Sequence, residues 1–487
     1  MKRFRIIAIM ALMAIGLPSA MSQYISPVDF MVNNPRSMFA NPAFHTNEFG
    51  FFDFALGGIN VNVQNVGLKY DRFFTFNDAG KPVQVNLDKG LASLRDKNYL
   101  NANISLDVFN SGRRTKHGFF TYTHRVRVME TFRYSKDLVS LLAKGNAAYL
   151  GENNPADIDL GLAVRGYMEF DFGYQMNLTE KLSIGTRLKY LAGLADLKTK
   201  NVNIKLFTDP ETYALSLLAD ADVRAALPIE IAMVDGKFKT GDFNLFGMFK
   251  NFGLGIDLGG EYRINDQFGV AAAINDLGFI SWKTNPIQLQ AGLNDAGPFY
   301  QDGAFVFSGL TTEQMNHMMD DPNYFSNLTN TLPDYLDYSV EQTERYSTGL
   351  NTSTMVRGYY DLTPEHRFSA QLTTYATGIG VRPALTLAYS GNFNKKYDVI
   401  GTYTMMGGSY DNIGIGASAN VGGLVLYLAT NNLFGFFNPV NRTQLNFQFG
   451  LSFVAGEKVN RLATVVLRDK EAGMEEDPLM EEDPIFF

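Results

Sequence analysis

Alternating apolar and polar residues are the dominant pattern along this chain. Residues 445–453 read "LNFQFGLSF", with apolar side chains at every odd position and polar or small ones at every even position. Successive side chains of a β-strand point to opposite faces, so the pattern predicts a strand with one apolar face and one polar face. The apolar face contacts either a protein core or lipid, and that choice decides the class of protein.

The same pattern predicts a hairpin with a defined register. Residues 166–178 and 182–190 both alternate, and the turn residues "TEK" separate them. If the two leucines that flank the turn face each other, Asp171 lies opposite Lys189 on the polar face, where opposite charges are favourable.

Many further segments follow the same rule, and a few read as helices. We predict additional strands at 59–64, 102–108, 118–128, 201–207, 254–264, 268–282, 303–308, 346–360, 368–373, 383–391, 397–406, 413–419 and 424–430. Short helices are predicted at 136–150, 211–226 and 311–321. This amounts to an all-β chain of about fourteen strands, with a range of about 12 to 16.

The polar faces favour a transmembrane antiparallel β-barrel over a soluble sandwich. In a sandwich two apolar faces meet in a core, whereas in a membrane barrel the apolar face meets lipid and the polar face lines a lumen. The predicted polar faces carry small and charged residues together. Aromatic residues at strand ends also suggest interfacial girdles: Tyr167, Tyr190, Tyr262, Trp282, Tyr359, Tyr360, Tyr389 and Phe453.

Composition narrows the functional classes. The 487 residues include 39 Phe, 24 Tyr and 45 Gly, which suits a β-rich chain with tight turns. There is no cysteine, which excludes disulfides and thiolate chemistry. A net charge of −8 without a basic cluster argues against nucleic acid as a partner.

The two ends of the chain differ from its middle. Residues 1–22 have the charged, apolar and small-residue regions of a signal peptide, with a mature start expected at Gln23. We expect export to the outer membrane of a Gram-negative bacterium. Residues 457–487 contain "EEDP" twice and are predicted to form a disordered acidic tail, either a solubilising segment or a docking site for a periplasmic partner.

Four segments carry a family resemblance. Residues 33–44 ("NNPRSMFANPAF") resemble the segment before the first strand of FadL-like outer-membrane proteins. Residues 182–197, 253–282 and 446–453 resemble an uncharacterised family of outer-membrane barrels from Bacteroidota. Wider relatives include FadL-like channels for hydrophobic compounds and the PorV and PorP type proteins of type IX secretion and gliding.

The resemblance implies a domain organisation and a plug. It implies about fourteen strands over residues 51–456 and a small N-terminal plug over residues 23–50. Asn41, Pro42 and Ala43 are the candidate plug residues, although the same sequence can form a simple turn before the first strand.

No pattern of known catalytic or cofactor chemistry appears. Walker, zincin, serine-hydrolase and dinucleotide-binding motifs are absent from the sequence, so we expect neither an enzyme nor a bound cofactor. His317 and Asp321 have helical spacing for a metal pair, but their acidic surroundings favour a solvated face, and no metal site is predicted.

The candidate functional residues are charges on the polar faces. They are Glu169, Asp171, Arg187, Lys189, Asp257, Glu261 and Arg263. These side chains either form the selectivity lining of a pore or join into salt bridges that fill the lumen.

Two functions remain open from the sequence. The first is a passive channel for small or hydrophobic molecules. The alternative is a non-conducting barrel subunit or anchor of a secretion or cell-envelope complex of the type IX kind. Both imply outer-membrane lipid and the barrel-assembly machinery as partners, and they differ in whether the lumen is open.

Overall fold

The computed structural model describes most of residues 25–454. The exceptions are residues 33, 45–49, 66, 78–81, 116, 152, 212–214, 235–236, 294–299, 302–303, 308–335, 378–379, 395, 407–408, 438–441 and 443. The predicted signal peptide (1–22), the predicted acidic tail (457–487), the predicted helix at 311–321 and His317 with Asp321 therefore lie outside the described residues.

The described strands form a closed 14-stranded antiparallel barrel, as the sequence predicts. In chain order they are β1 (Phe51–Asn65), β2 (Lys97–Arg114), β3 (Phe119–Ser135), β4 (Leu160–Asn177), β5 (Leu182–Thr208), β6 (Phe252–Arg263), β7 (Phe268–Trp282), β8 (Ser353–Thr363), β9 (His366–Thr377), β10 (Gly380–Phe393), β11 (Tyr397–Met406), β12 (Ser409–Val421), β13 (Leu424–Thr430) and β14 (Gln444–Val454).

Strand pairing closes the sheet and confirms the predicted hairpin register. β1 pairs with both β2 and β14, so no edge is left between the first and the last strand. In the β4–β5 hairpin Asp171 lies opposite Lys189. The register between β1 and β14 shifts between Phe52 and Ile59, which marks an irregular stretch in the first strand.

Burial in this barrel is inverted relative to a soluble protein. Phe172 is 62% exposed and Leu188 is 58% exposed on the outer face, whereas Asp171 is fully buried on the inner face. The final strand behaves likewise, since Phe447 and Phe453 are exposed while its polar residues are buried. An apolar outside around a polar inside is the pattern of a membrane barrel.

The two ends of the barrel are built differently. At one end the connections are the short segments 115–118, 178–181, 264–267, 364–365, 394–396 and 422–423. The first residue of β1 and the last of β14 lie at this same end, which we call the short-turn end. The opposite end, the long-loop end, carries long connections such as 136–159 and 209–251.

Additional elements lie in these long connections and in the N-terminal segment. Further strands are Phe74–Phe76, Pro82–Val85, Ala156–Ile158, Leu215–Ala226, Ile231–Val234, Lys237–Thr240, Pro286–Leu293, Tyr300–Gln301, Ala304–Phe307, Leu336–Gln342 and Tyr346–Gly349. Helical segments are Pro27–Phe30, Pro35–Phe39, Tyr70–Phe73, Leu87–Ala92, Lys136–Lys144, Leu245–Lys250 and Leu433–Phe437. Among the described residues, none of the helices is long and apolar enough to cross a membrane.

One predicted helix is confirmed and another is wrong. A helix does begin at Lys136, and it ends at Lys144. The helix predicted at 211–226 is instead a strand, Leu215–Ala226, that pairs with the extended end of β5. Its alanine-rich sequence favours a helix locally, but the alternation "ADADVR" and pairing with a long neighbouring strand override that preference.

The aromatic-girdle prediction is wrong for three of its residues. Tyr167, Trp282 and Tyr359 are buried inside the barrel and do not face an interface. In β7 the cause is a bulge at Asp276, which has a φ of 59° and shifts the register. The bulge reverses the alternation, so that Trp282 points inward and donates its indole N–H to the Thr348 hydroxyl at 2.8 Å.

Candidate functional site

The N-terminal segment, residues 25–44, lies inside the barrel. Its first residues contact the inner wall, where the Asn431 amide donates to the Ile25 carbonyl at 3.3 Å and the Ser390 hydroxyl donates to the Phe30 carbonyl at 3.0 Å. Further along, Met38 packs with Phe51 and Phe119, which begin β1 and β3. Residues 35–44 therefore occupy the half of the lumen nearer the short-turn end.

Asn41 fixes the end of this segment to the wall. It is fully buried, and its amide donates to the carbonyls of Gly260 at 3.1 Å and Ala272 at 3.3 Å. Its side-chain oxygen accepts the backbone N–H of Ala43 at 2.8 Å. The amide thus joins the N-terminal segment to β6 and β7 at once.

Two glycines of the wall make room for Asn41, Pro42 and Ala43. Gly185 and Gly259 face each other across the β5–β6 pairing. A Cβ atom on Gly185 would overlap the Pro42 carbonyl, and one on Gly259 would overlap the Asn41 side chain. Close approach of the segment to the wall therefore requires glycine at both positions.

A buried ion pair holds the middle of the segment. Arg36 is 4% exposed, and its guanidinium lies 3.0 Å from the Asp53 carboxylate and also contacts Asp107. These acids belong to β1 and β2. Removing the arginine would leave two buried carboxylates without their partner, and this loss is costly.

Phe39 is surrounded by arginines. Its ring centre lies 4.0 Å from the Arg125 guanidinium, 5.0 Å from Arg187 and 5.6 Å from Arg36. Arg187 also donates to the Phe39 carbonyl at 3.3 Å. Cation–π attraction therefore adds to the packing that holds Phe39 in the lumen.

Lys189 is the centre of a buried ion-pair network on the wall. Its side chain is 1% exposed, and the ammonium lies 2.6 Å from Asp276, 3.0 Å from Asp257 and 3.6 Å from Glu169. Although Asp171 lies directly opposite in the sheet, the ammonium pairs with these three carboxylates. The lysine thus connects β4, β6 and β7 across the inner face.

Three arginines complete the network. Arg127 lies 3.1 Å from Glu169 and 3.0 Å from Asp276. Arg125 contacts Glu169 and lies 3.4 Å from Asp171. Arg187 lies 2.8 Å from Asp257. Opposite charges therefore face one another throughout this part of the lumen.

The structure brings together five of the seven charges that the sequence singles out. Glu169, Asp171, Arg187, Lys189 and Asp257 are all 2% exposed or less and belong to the network. The other two lie nearer the short-turn end: the Tyr359 hydroxyl donates to Glu261 at 2.8 Å, and Arg263 is exposed.

Sequence reasoning missed six charged residues of this site. They are Arg36, Asp53, Asp107, Arg125, Arg127 and Asp276. Arg125 and Arg127 alternate with valines in "RVRV", and Asp107 lies on the polar face of its strand. The alternation therefore predicts that these three side chains point into the lumen. Asp276 points inward because of the bulge, for which the sequence carries no comparable signal.

Two adjacent cavities lie in the lumen, and the N-terminal segment lines one of them. The inner chamber has a volume of about 180 Å³, and Phe39, Ala40 and Lys189 are among its lining residues. The vestibule nearer the long-loop end has a volume of about 510 Å³. Asn103, Met129 and Asn351 line both cavities, so the two are adjacent.

Asp29 is an acid of the N-terminal segment that faces the inner chamber. Desolvation inside the lumen raises the pKa of its carboxyl to about 6, although the Ser26 backbone N–H and the charge of Arg357 both oppose the rise. The protonation state of Asp29 therefore changes close to neutral pH. Within the described part of the chain, no group of His, Asp and Glu side chains is arranged to hold a metal ion.

The sequence assigns the chain to a family. Residues 42–431 match the model described as "Family of unknown function (DUF5723)", which covers most of the chain, so the protein belongs to this family. No curated protein is significantly similar to the chain.

Several solved structures are similar over most of their length. The toluene transporter TbuX of Ralstonia pickettii is 10% identical, with a TM-score of 0.42 over 87% of this chain and 94% of that one. The toluene transporter TodX of Pseudomonas putida is 8% identical, with a TM-score of 0.38 over 90% and 94%. A Pseudomonas aeruginosa FadL homologue is 9% identical, with a TM-score of 0.38 over 86% and 93%. At these values the similarity carries no argument about function.

Proposed function

We propose that this protein is an outer-membrane channel for small solutes that the N-terminal segment closes at rest. The apolar outer face suits lipid, and the polar inner face suits a water-filled path. Membrane barrels carry short turns on the periplasmic side, so the short-turn end would face the periplasm and the vestibule would face the exterior.

The observation that carries this proposal is that two adjacent cavities lie in the lumen and that Phe39 lines the inner one. A solute that enters the vestibule would have to pass Asn103, Met129 and Asn351 to reach the inner chamber, because these side chains line both cavities. Phe39 and Ala40 line that chamber on the side of the N-terminal segment. The N-terminal segment would act as the plug, because its residues 35–44 lie between the inner chamber and the short-turn end.

The lining favours polar solutes over hydrocarbons. Arg125, Arg127, Lys189 and Asp276 all face the inner chamber, and a hydrocarbon there would replace water around charged groups without compensating them. A polar solute can replace the lost hydrogen bonds with its own. Small polar molecules are therefore the solute class that we propose.

Flux through liposomes tests the channel function. The protein would be reconstituted, and uptake of labelled glucose, glutamate, toluene and a long-chain fatty acid would be measured beside protein-free liposomes. We expect slow uptake of the polar solutes, and an increase when residues 25–44 are deleted from a variant that still folds as a heat-stable barrel. Absence of uptake in both proteins would contradict the proposal, and uptake of toluene or the fatty acid alone would contradict the solute class.

A second candidate function is a non-conducting subunit or anchor of a cell-envelope complex. The dense network around Lys189, together with the packed N-terminal segment, favours it, because both reduce the free cross-section of the lumen. Under this alternative the deletion would destabilise the barrel without creating flux, and co-purification from native membranes would recover a partner.

A further inference from the structure

The lining of the vestibule carries more positively than negatively charged side chains. Among its lining residues are four cations, Arg133, Arg165, Lys198 and Arg224, and one acid, Asp196. Two of these cations have their own carboxylates. Arg165 lies 2.9 Å from Asp196, and Arg133 lies 2.6 Å from an acid just outside the vestibule, Asp159.

Lys198 and Arg224 are not neutralised in this way. They lie directly opposite each other on neighbouring strands, in the pairing of β5 with Leu215–Ala226. Neither has a carboxylate within 4 Å among the residues that the structure describes. Asp222 lies two residues from Arg224 on the same face of the strand, but it pairs with Lys200 at 3.5 Å and accepts from Gln288 at 3.1 Å.

Tyr346 fixes the position of the Arg224 guanidinium, but one of the arginine's hydrogen-bond donors has no acceptor in the described part of the chain. Its guanidinium lies 4.0 Å from the centre of the Tyr346 ring, and the Tyr346 hydroxyl donates to Asp196 at 3.1 Å. The Nε atom of Arg224 is buried and has no hydrogen-bond partner among the described residues. An oriented arginine with an unused donor at a cavity wall is a group prepared to bind an acceptor.

Like charges that face each other across a sheet are destabilising, and so the arrangement calls for a compensating group. We propose that Lys198 and Arg224 form an anion-binding site at the mouth of the channel, selective for small solutes with two or more carboxylate, phosphate or sulfonate groups. The vestibule volume of about 510 Å³ lies within the range of small-molecule sites. The inference deepens the proposed function, on which it rests, by naming the charge of the preferred solute.

Binding of a trisulfonated dye, pyranine, tests the site without requiring flux. Fluorescence anisotropy of pyranine would be titrated with the detergent-solubilised protein at low salt. We expect the Lys198→Gln/Arg224→Gln double variant to bind at least about tenfold more weakly, because it loses two charge-assisted contacts. Lys205→Gln is the matched control, since it removes a lysine from the same strand outside the vestibule, and it should bind as the unmodified protein does.

The outcomes separate this inference from the channel proposal. Equal pyranine affinity in the double variant and in the control, with both proteins folded as heat-stable barrels, would overturn the anion site. Pyranine binding that depends on the two cations, in a protein that shows no flux, would support the site and reject the channel. If the double variant does not fold, the single variants Lys198→Gln and Arg224→Gln take its place, each with a smaller expected loss.

Discussion

The Arg125 guanidinium lies 4.0 Å from the centre of the Phe39 ring, so the wall of the barrel and its N-terminal segment meet through a cation–π contact. Arg125 also contacts Glu169, which in turn lies 3.6 Å from Lys189. The contact therefore connects the segment with the ion-pair network of the lumen. Displacement of Phe39 would remove the ring that lies against the guanidinium groups of Arg36, Arg125 and Arg187.

Replacing Phe39 should loosen the N-terminal segment. The chain has no cysteine, so Ser37→Cys supplies a unique buried thiol in this segment, and its reaction with a water-soluble maleimide reports undocking. Cation–π contacts and the packing of the half-buried Phe39 ring together exceed about 1.4 kcal/mol, which is a tenfold effect. We expect Phe39→Ala to raise the labelling rate at least about tenfold. The rate for Phe39→Leu should lie between that of Phe39→Ala and that of the protein with Phe39 intact.

The matched control for that experiment is Phe172→Ala, which removes an aromatic ring from the outer face. It should leave the labelling rate unchanged. A labelling rate in Phe39→Ala equal to that of the control would show that the arginine contacts do not hold the segment.

Lys189 should be essential to the stability of the barrel. Replacing it with methionine leaves Asp257 and Asp276 with one arginine each and creates uncompensated buried charge. Breaking a buried pair in this way costs about 3–5 kcal/mol, which urea unfolding in detergent can measure. We expect Lys189→Met/Asp257→Asn to recover part of the loss. A single variant as stable as the unmodified protein would contradict this role.

Docking of the N-terminal segment should strengthen as the pH falls. The pKa of Asp29 is raised from 3.8 to about 6 in the docked segment, so the docked form binds the proton more tightly than the released form. Docking is therefore weaker above pH 6 and gains about tenfold between pH 7.5 and pH 5. The labelling rate of Ser37→Cys, normalised to a free thiol at each pH, should fall by that factor.

Asp29→Asn removes this titration and keeps a side-chain acceptor for the Ser26 backbone. In that variant the normalised labelling rate should stay at its low value across the same pH range. A persistent pH dependence would assign the effect to another group.

The sequence pattern predicts the barrel because lipid imposes a regular alternation. The strands need an apolar residue at every second position wherever they face hydrocarbon, and "LNFQFGLSF" in β14 shows that pattern without interruption. The turn position, with Leu178 taken to lie opposite Leu182, also predicts that Asp171 lies opposite Lys189, and the structure confirms this register. The predicted plug residues and lumen charges remain functional predictions until variants are measured.

Other features depend on contacts that no local pattern encodes. The bulge at Asp276 reverses the alternation in β7, so Trp282 points inward although the sequence places it in a girdle. Lys189 pairs with acids on other strands, because in a closed barrel side chains converge from several strands. Arg36 lies in a segment without an alternating pattern, so the sequence gives no signal that it pairs with Asp53 inside the barrel.

The most direct test of the proposed closed channel is the single-channel open time of Gly259→Val in planar bilayers. The valine side chain would overlap the Asn41 side chain and displace it from the wall. The control, Gly358→Val, adds the same side chain at a position where no atom of the described residues lies within 4 Å of the new Cβ. We predict that Gly259→Val conducts with a longer open time than the unmodified protein and that Gly358→Val does not differ from it. Equal open times in all three proteins, with each one folded, would contradict closure of the lumen by the N-terminal segment.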